Sequence, residues 1–170
     1  VGTSLAAPQV SGAAALILQK FPWASADFLR TSLLTTATDI GDPGVDARYG
    51  WGLLNVGKAV NGPAQLPFGA LTVNPSAGNY FLSNDISGTG SLIKTGAGAI
   101  TLTGNNTYTG GTQVQDGTLY VNGAIPSATI NGSNAVLNGL GKVGSIDNQL
   151  GVADFSYGLK ADTYTQGEKA

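Results

Sequence analysis

The opening stretch Val1-Gly2-Thr3-Ser4-Leu5-Ala6-Ala7-Pro8-Gln9-Val10-Ser11-Gly12 holds one hydroxyl whose surroundings suit nucleophilic chemistry, that of Ser4. Gly2 removes a side chain that would crowd a backbone lying beside a substrate. Thr3 is a good helix N-cap, which would put Ser4 where the orphan N–H groups of a first turn point outward. A hydroxyl there can attack a carbonyl while the Ser4 N–H helps to hold the oxyanion that develops. Ala6 and Ala7 keep the turn thin, and Pro8 falls in or just past it, where a missing N–H costs least. The plainer reading is a Thr3-Ser4 cap on a buried, alanine-rich helix. A serine nucleophile also needs a base, and the chain has no histidine. Lys20 would lie about 24 Å from Ser4 along a continuous helix, too far for a Ser/Lys pair.

The elements that would position Ser4 follow at once. Residues 9–20 are expected to be helical, with Val10, Ala14, Ile17 and Leu18 at helical spacing and small residues on the other face. Such a helix suits packing on several sides, and Phe21-Pro22 ends it. Ser25 is the expected cap of a second helix, with Asp27 in its first turn and Phe28, Leu29 and Leu33 on one face. Residues 38–56 are rich in Gly, Pro and Asp and read as consecutive turns. Asp39, Asp42 and Asp46 could suit a hard cation, but the spacing of a calcium loop is lacking, and turn capping is the favoured reading. No metal or cofactor is expected. Tyr49, Trp51 and Tyr108 are read as packing aromatics rather than sugar platforms.

Composition changes near residue 60. Residues 61–90 contain Pro63, Pro67 and Pro75 and read as a connector with at most short strands. Beyond it Gly, Thr and Asn dominate and the hydrophobic period becomes two. Ile100-Thr101-Leu102, Gly117-Thr118-Leu119-Tyr120-Val121 and Ala135-Val136-Leu137 are expected strands, separated by Gly/Asn turns and spaced by roughly 18 residues. That period predicts a solenoid whose inward Leu, Ile and Val stack from coil to coil, with barely three coils in residues 91–147. Residues 148–170 carry no assignment.

The chain has no cysteine, which excludes a disulfide framework and a thiol nucleophile. A net charge of −2 with 11% charged residues gives no basic surface for nucleic acid. No apolar run is long enough to span a bilayer as a helix. Val1 is neither an initiator methionine nor the start of a signal segment, so further chain is expected before it.

Two resemblances join these observations. The pattern of Gly2, Thr3, Ser4, Ala6, Pro8, Val10 and Gly12 resembles the nucleophile segment of subtilisin-like serine proteases. Gly44, Asp46, Tyr49, Gly50, Gly52 and Asn55 resemble the G-x-D-x-x-Y-G-x-G-x-x-N segment that ends such catalytic domains. Lys94, Gly96, Gly98, Leu102, Gly104, Asn106, Tyr108, Gly110 and Thr112, followed by Gly117-Thr118-Leu119, resemble the passenger-associated strand repeat of bacterial autotransporters. Asn138 to Gly144 resembles the next turn of that module.

The resemblance implies a mixed fold: the helical C-terminal part of an α/β subtilisin-like domain (1–60), a connector (61–90) and a parallel β-helix (91–147). It implies that Ser4 is the catalytic nucleophile, its backbone N–H an oxyanion donor, in a secreted serine endopeptidase. In subtilisins the triad runs Asp, His, Ser, so both partners are expected upstream. An α/β-hydrolase would instead place its histidine after Ser4, where there is none. The implied partners are polypeptide substrates, the N-terminal part of the same protease domain and a downstream translocating β-barrel, with no nucleic acid. The implied location is outside a Gram-negative cell or on its surface, reached through the outer membrane. The competing class is a surface stem or adhesin whose β-helix is the working part beside an inactive protease remnant.

Overall fold

The computed structural model describes residues 2–167. A 3₁₀ turn at Thr3–Leu5 leads into helix α1 (Ala6–Lys20), then α2 (Ala26–Thr35) and the short α3 (Val56–Ala59). The cap expected at Thr3 is not formed. Thr3 lies inside the 3₁₀ turn, whose N-cap is Gly2 in extended conformation. The tighter turn takes the chain into α1 three residues earlier than the apolar spacing alone suggested. Ser25 does cap α2, its Oγ accepting from the Phe28 N–H at 3.1 Å.

Only Ala13 and Ile17 of α1 are buried, while Val10, Leu16 and Leu18 are exposed. The several-sided packing expected of this helix is therefore met on one side only among the described residues. That side rests on an aromatic cluster. Phe21, at the end of α1, packs edge-on against Phe28 of α2 (5.2 Å between ring centres) and Trp23 (5.6 Å), and Tyr80 closes the group at 5.7 Å from Trp23.

Tyr80 belongs to the β-region. Strands β1 (Leu71–Val73), β3 (Leu92–Lys94), β5 (Thr112–Val114), β7 (Ala124–Ile130), β9 (Lys142–Asn148) and β11 (Lys160–Gln166) form one parallel sheet in that order. The second sheet holds β2 (Asn79–Leu82), β4 (Ala99–Leu102), β6 (Gly117–Val121), β8 (Ala135–Asn138) and β10 (Val152–Ala153), also all parallel. Strands alternate between the sheets along the chain, so each coil pairs only with the coils before and after it. The result is a parallel solenoid of about five turns.

The register explains the sequence period. Ile100 pairs with Leu119 and Leu119 with Leu137, all with no exposed surface. Leu82, Leu102 and Val121 form the neighbouring inward column. Each buried aliphatic side chain contributes about 1.5–3 kcal/mol over exposure. The three strands expected from alternation are β4, β6 and β8, one sheet of the two.

Two segments carry more structure than expected. Residues 61–90 hold β1 and β2, short as anticipated, but already hydrogen-bonded into both sheets. Residues 160–166, in the stretch without assignment, form β11, paired along its length with β9. The coil count accordingly exceeds three.

The helical segment and the first coil share one apolar cluster that runs from Ile17, Phe21 and Phe28 through Leu66 and Leu71 to the solenoid interior. Polar ties reinforce it. The Ala64 N–H donates to Thr35 Oγ1 (3.0 Å), Lys20 Nζ to Asn61 Oδ1 (3.0 Å), and Asn84 Nδ2 to the carbonyls of Lys58 and Gly62. The helices thus cover the end of the solenoid.

Candidate functional site

Ser4 sits in the 3₁₀ turn and is exposed. The first bond that closes the turn runs from the Leu5 N–H to the Gly2 carbonyl at 3.1 Å, and the next from Ala6 to Thr3. The Ser4 N–H precedes both and has no backbone acceptor among the described residues. A Cβ placed on Gly2 would lie 3.9 Å from Ser4 Oγ, which locates the hydroxyl directly beside the bare Gly2 backbone. The Ser11 hydroxyl is turned away from this corner, donating to the Ala7 carbonyl at 3.2 Å.

The second protease-like stretch folds back against α1. Thr38 and Leu53 exchange both backbone hydrogen bonds (2.7 and 2.8 Å). Gly52 has φ +106°, and a Cβ there would meet the Thr38 carbonyl oxygen at 2.2 Å, so only glycine fits. Asp46 Oδ1 accepts from the Arg48 and Tyr49 N–H groups, both at 2.7 Å. Asp39 Oδ2 accepts from the Gly44 N–H at 2.8 Å. These aspartates fold the turns, and among the described residues no three His, Cys, Asp or Glu side chains gather as a metal would require. Asn55 caps α3 through the Lys58 N–H (3.0 Å) and ties back to Thr38 Oγ1 (3.2 Å). Val10, Leu33, Tyr49, Trp51 and Leu54 together line an open, mainly apolar groove. The two stretches that carried the protease resemblance therefore meet in space.

Of the aromatics, Tyr108 is fully buried, with its hydroxyl 2.6 Å from Thr112 Oγ1. Burial pushes its pKa up to about 12, against the pull of the Thr112 hydrogen bond. Trp51 packs edge-on to Phe68 at 5.7 Å, and the Arg30 guanidinium lies 4.0 Å over the Phe68 ring.

Two further residues, quoted only as parts of a pattern, turn out to hold the coils together. Lys94 stands in an inward column between Val73 and Val114. Its ammonium donates to the carbonyls of Thr95 (2.8 Å), Gly96 (2.7 Å) and Asp116 (2.9 Å), which uses all three of its donors. Burial lowers its pKa to about 8, against the attraction of the Asp116 carboxylate. Asn106 accepts from the Ile86 N–H of one coil (3.0 Å) and donates to the Gly104 and Ala124 carbonyls (2.9 Å each), so it stitches three successive coils. A charged residue in an alternating apolar strand, and an asparagine repeating one place past a Gly-Asn corner, were the available signals.

Residues 1–52 match the Subtilase family, and residues 92–121 match the passenger-associated-transport-repeat. A subtilase segment followed by a passenger repeat makes the chain similar to the subtilase-type serine protease autotransporters. It is 57% identical to the Neisserial autotransporter lipoprotein NalP of Neisseria meningitidis serogroup B, over 72% of this chain and 12% of that protein. It is 38% identical to an extracellular serine protease of Serratia marcescens, over 85% of this chain and 17% of that protein. Subtilisin DY of Bacillus licheniformis is 53% identical over 34% of this chain and 20% of its own length. The chain spans less than a fifth of either autotransporter-type relative. A location outside the Gram-negative cell or on its surface, by way of the outer membrane, agrees with these relatives. No helix among the described residues is long and apolar enough to cross a membrane.

Proposed function

We propose that Ser4 is the acylated nucleophile of a secreted serine endopeptidase, and that residues 1–60 are the closing part of its protease domain. The observation that carries this reading is the exposed Ser4 hydroxyl at the entry to α1, beside the bare Gly2 backbone. In the proposed reaction Ser4 Oγ attacks the carbonyl carbon of a peptide bond, and its proton passes to a base that these 170 residues do not supply, since they hold no histidine. The Ser4 N–H donates to the oxyanion. Collapse of the tetrahedral intermediate releases the amine, which takes up that proton, and leaves an ester on Ser4 that water then hydrolyses.

Polypeptides are the proposed substrates, the upstream part of the protease domain supplies the His and Asp, and a downstream β-barrel is the proposed translocator. The solenoid serves as a stem, whose first coil gives the nucleophile helix its floor through Phe21 and Tyr80.

The test uses the full-length protein. Ser4→Ala is expected to lower peptide hydrolysis by at least about 10⁴-fold and to abolish labelling by a serine-directed fluorophosphonate, with secretion intact. Labelling that persists at the wild-type level refutes the assignment. The 170-residue chain alone is expected to show no Ser4-dependent hydrolysis of a chromogenic peptide ester.

A further inference from the structure

We propose that the outward groove across β6, β8 and β10 is a binding site for a neutral oligosaccharide, independent of the Ser4 site. The groove measures about 480 Å³ and is lined by Tyr120, Asn122, Asn138, Leu140, Asp154 and Tyr157. The groove is open to solvent, and its volume falls in the range of small-molecule sites.

Its polar groups are fixed before any ligand arrives. Parallel register stacks Thr101, Tyr120 and Asn138 on successive coils, and Asp154 follows the β10 residue paired with Leu137. Asn138 is buried; its Nδ2 donates to Asp154 Oδ2 at 2.8 Å, and its Oδ1 accepts from the Gly139 N–H. Asp154 Oδ1 accepts from the Ser156 N–H at 2.9 Å. Hydrogen bonding from Ser156 holds the Asp154 carboxyl below the usual carboxylate range, so at neutral pH it is an acceptor only. Asn138 and the Ser156 backbone and side chain occupy three of its roughly four lone-pair positions, leaving one for a hydroxyl donor. Asn122 Oδ1 accepts from the Leu140 N–H at 3.2 Å, which fixes the orientation of that amide and leaves its NH₂ to donate outward.

The apolar half of the site is aromatic. Tyr157 is 68% exposed, although its turn is held by the Ser156 bond, by Gly158 N–H to the Phe155 carbonyl (3.1 Å) and by Phe155 packed edge-on to Tyr164 (5.5 Å). A large ring kept in water on a fixed turn loses nothing in packing when a ligand covers it, and little ordering entropy. Tyr120 is half-buried on the same face. Ring faces for sugar C–H surfaces, one fixed carboxylate acceptor and one fixed amide donor form a set complementary to a chain of hydroxyls. The lining has no Lys or Arg, and its one charge is negative, so phosphorylated and sulfated sugars are disfavoured.

The experiment is saturation-transfer NMR and titration calorimetry on the full-length secreted protein, with maltohexaose, cellohexaose and chitohexaose as neutral probes. A heparin hexasaccharide serves as the anionic probe. Saturation transfer from the protein to at least one neutral hexaose is expected, weakened roughly 10-fold by Tyr157→Ala and several-fold by Asp154→Asn, with unchanged circular dichroism. Thr72→Ala, exposed on the other sheet, should leave binding as it was. Absence of transfer to all three neutral sugars overturns the proposal. So does binding indifferent to Tyr157→Ala, a preference for the heparin probe, or Tyr157-dependent capture of a peptide in place of sugar.

Discussion

Replacing Asn106 with alanine should loosen the solenoid at one identifiable point. The side chain is 4% exposed and serves three coils. Its loss has unequal consequences for its partners. The Gly104 carbonyl keeps the Ala124 N–H at 3.1 Å, and the Ala124 carbonyl keeps the Asn106 N–H at 2.9 Å. The Ile86 N–H, in contrast, loses its acceptor at a buried residue, which costs about 1–3 kcal/mol. Adding the two lost donor bonds gives a destabilisation of about 3 kcal/mol. With a urea m-value of about 2 kcal/mol per molar, the midpoint followed by far-UV circular dichroism should fall by about 1.5 M. Asn106→Asp separates acceptor from donor. It keeps an oxygen for the Ile86 N–H but sets a carboxylate against two carbonyl oxygens, so at neutral pH it should be no more stable than the alanine variant. In acid the protonated carboxyl can donate to one carbonyl, and part of the loss should return. An alanine variant within about 0.5 kcal/mol of wild type would refute the stitching role, because that is the range of ordinary surface changes. An aspartate variant as stable as wild type at pH 7 would do the same.

Two other perturbations address the junction and the buried lysine. Phe21→Ala should cost about 3–5 kcal/mol at the helix–solenoid contact. Hydrogen exchange should then quicken at residues 13–17 while residues 100–102, 119–121 and 136–137 stay slow; equal loss in both regions would mean that the halves unfold as one. Lys94 titrates near 8 when folded and near 10.5 when unfolded, so between those values the unfolded chain binds more protons and stability should rise with pH. Tyr108 acts in the opposite sense. Folded it ionises near 12 and unfolded near 10, so above pH 10 its contribution is progressively lost. The thermal midpoint should therefore climb from pH 8 to 10 and then turn down, and Lys94→Met should remove the climb. A wild-type midpoint that is flat over pH 8–10 contradicts the lysine assignment.

How much of this was legible in the sequence depended on what each element buries. Strands β4, β6 and β8 show themselves because Ile100, Leu119 and Leu137 alternate with outward residues. Their partners in the other sheet are quieter: β5 has three residues, β7 contains Pro126, and β3 places Lys94 where an aliphatic side chain would normally stand. Strand β11 is nearly all exposed, and backbone pairing to β9 rather than apolar alternation holds it, so composition could not reveal it. The residues around Ser4 single it out as a candidate, but Thr3 forms no cap, because a 3₁₀ entry and a capped α-helix share the same residues. The tie between helices and solenoid was hidden for another reason. Phe21, Trp23 and Phe28 are close in sequence, but Tyr80 reaches them from β2, within the first coil and beyond the connector.

Because every coil pairs in parallel with the next, the stem behaves as a ruler with fixed graduations. Neighbouring strands lie about 4.8 Å apart, so the five steps from β1 to β11 set a length of about 24 Å. Removing or adding one complete coil would move whatever the stem carries by a single graduation and leave the inward columns in register. A one-residue change within a strand would turn its side chains to the wrong face, so small length changes belong in the corners. The reach of such a stem can therefore be altered only in whole coils, and the helices that close its end would ride along unchanged.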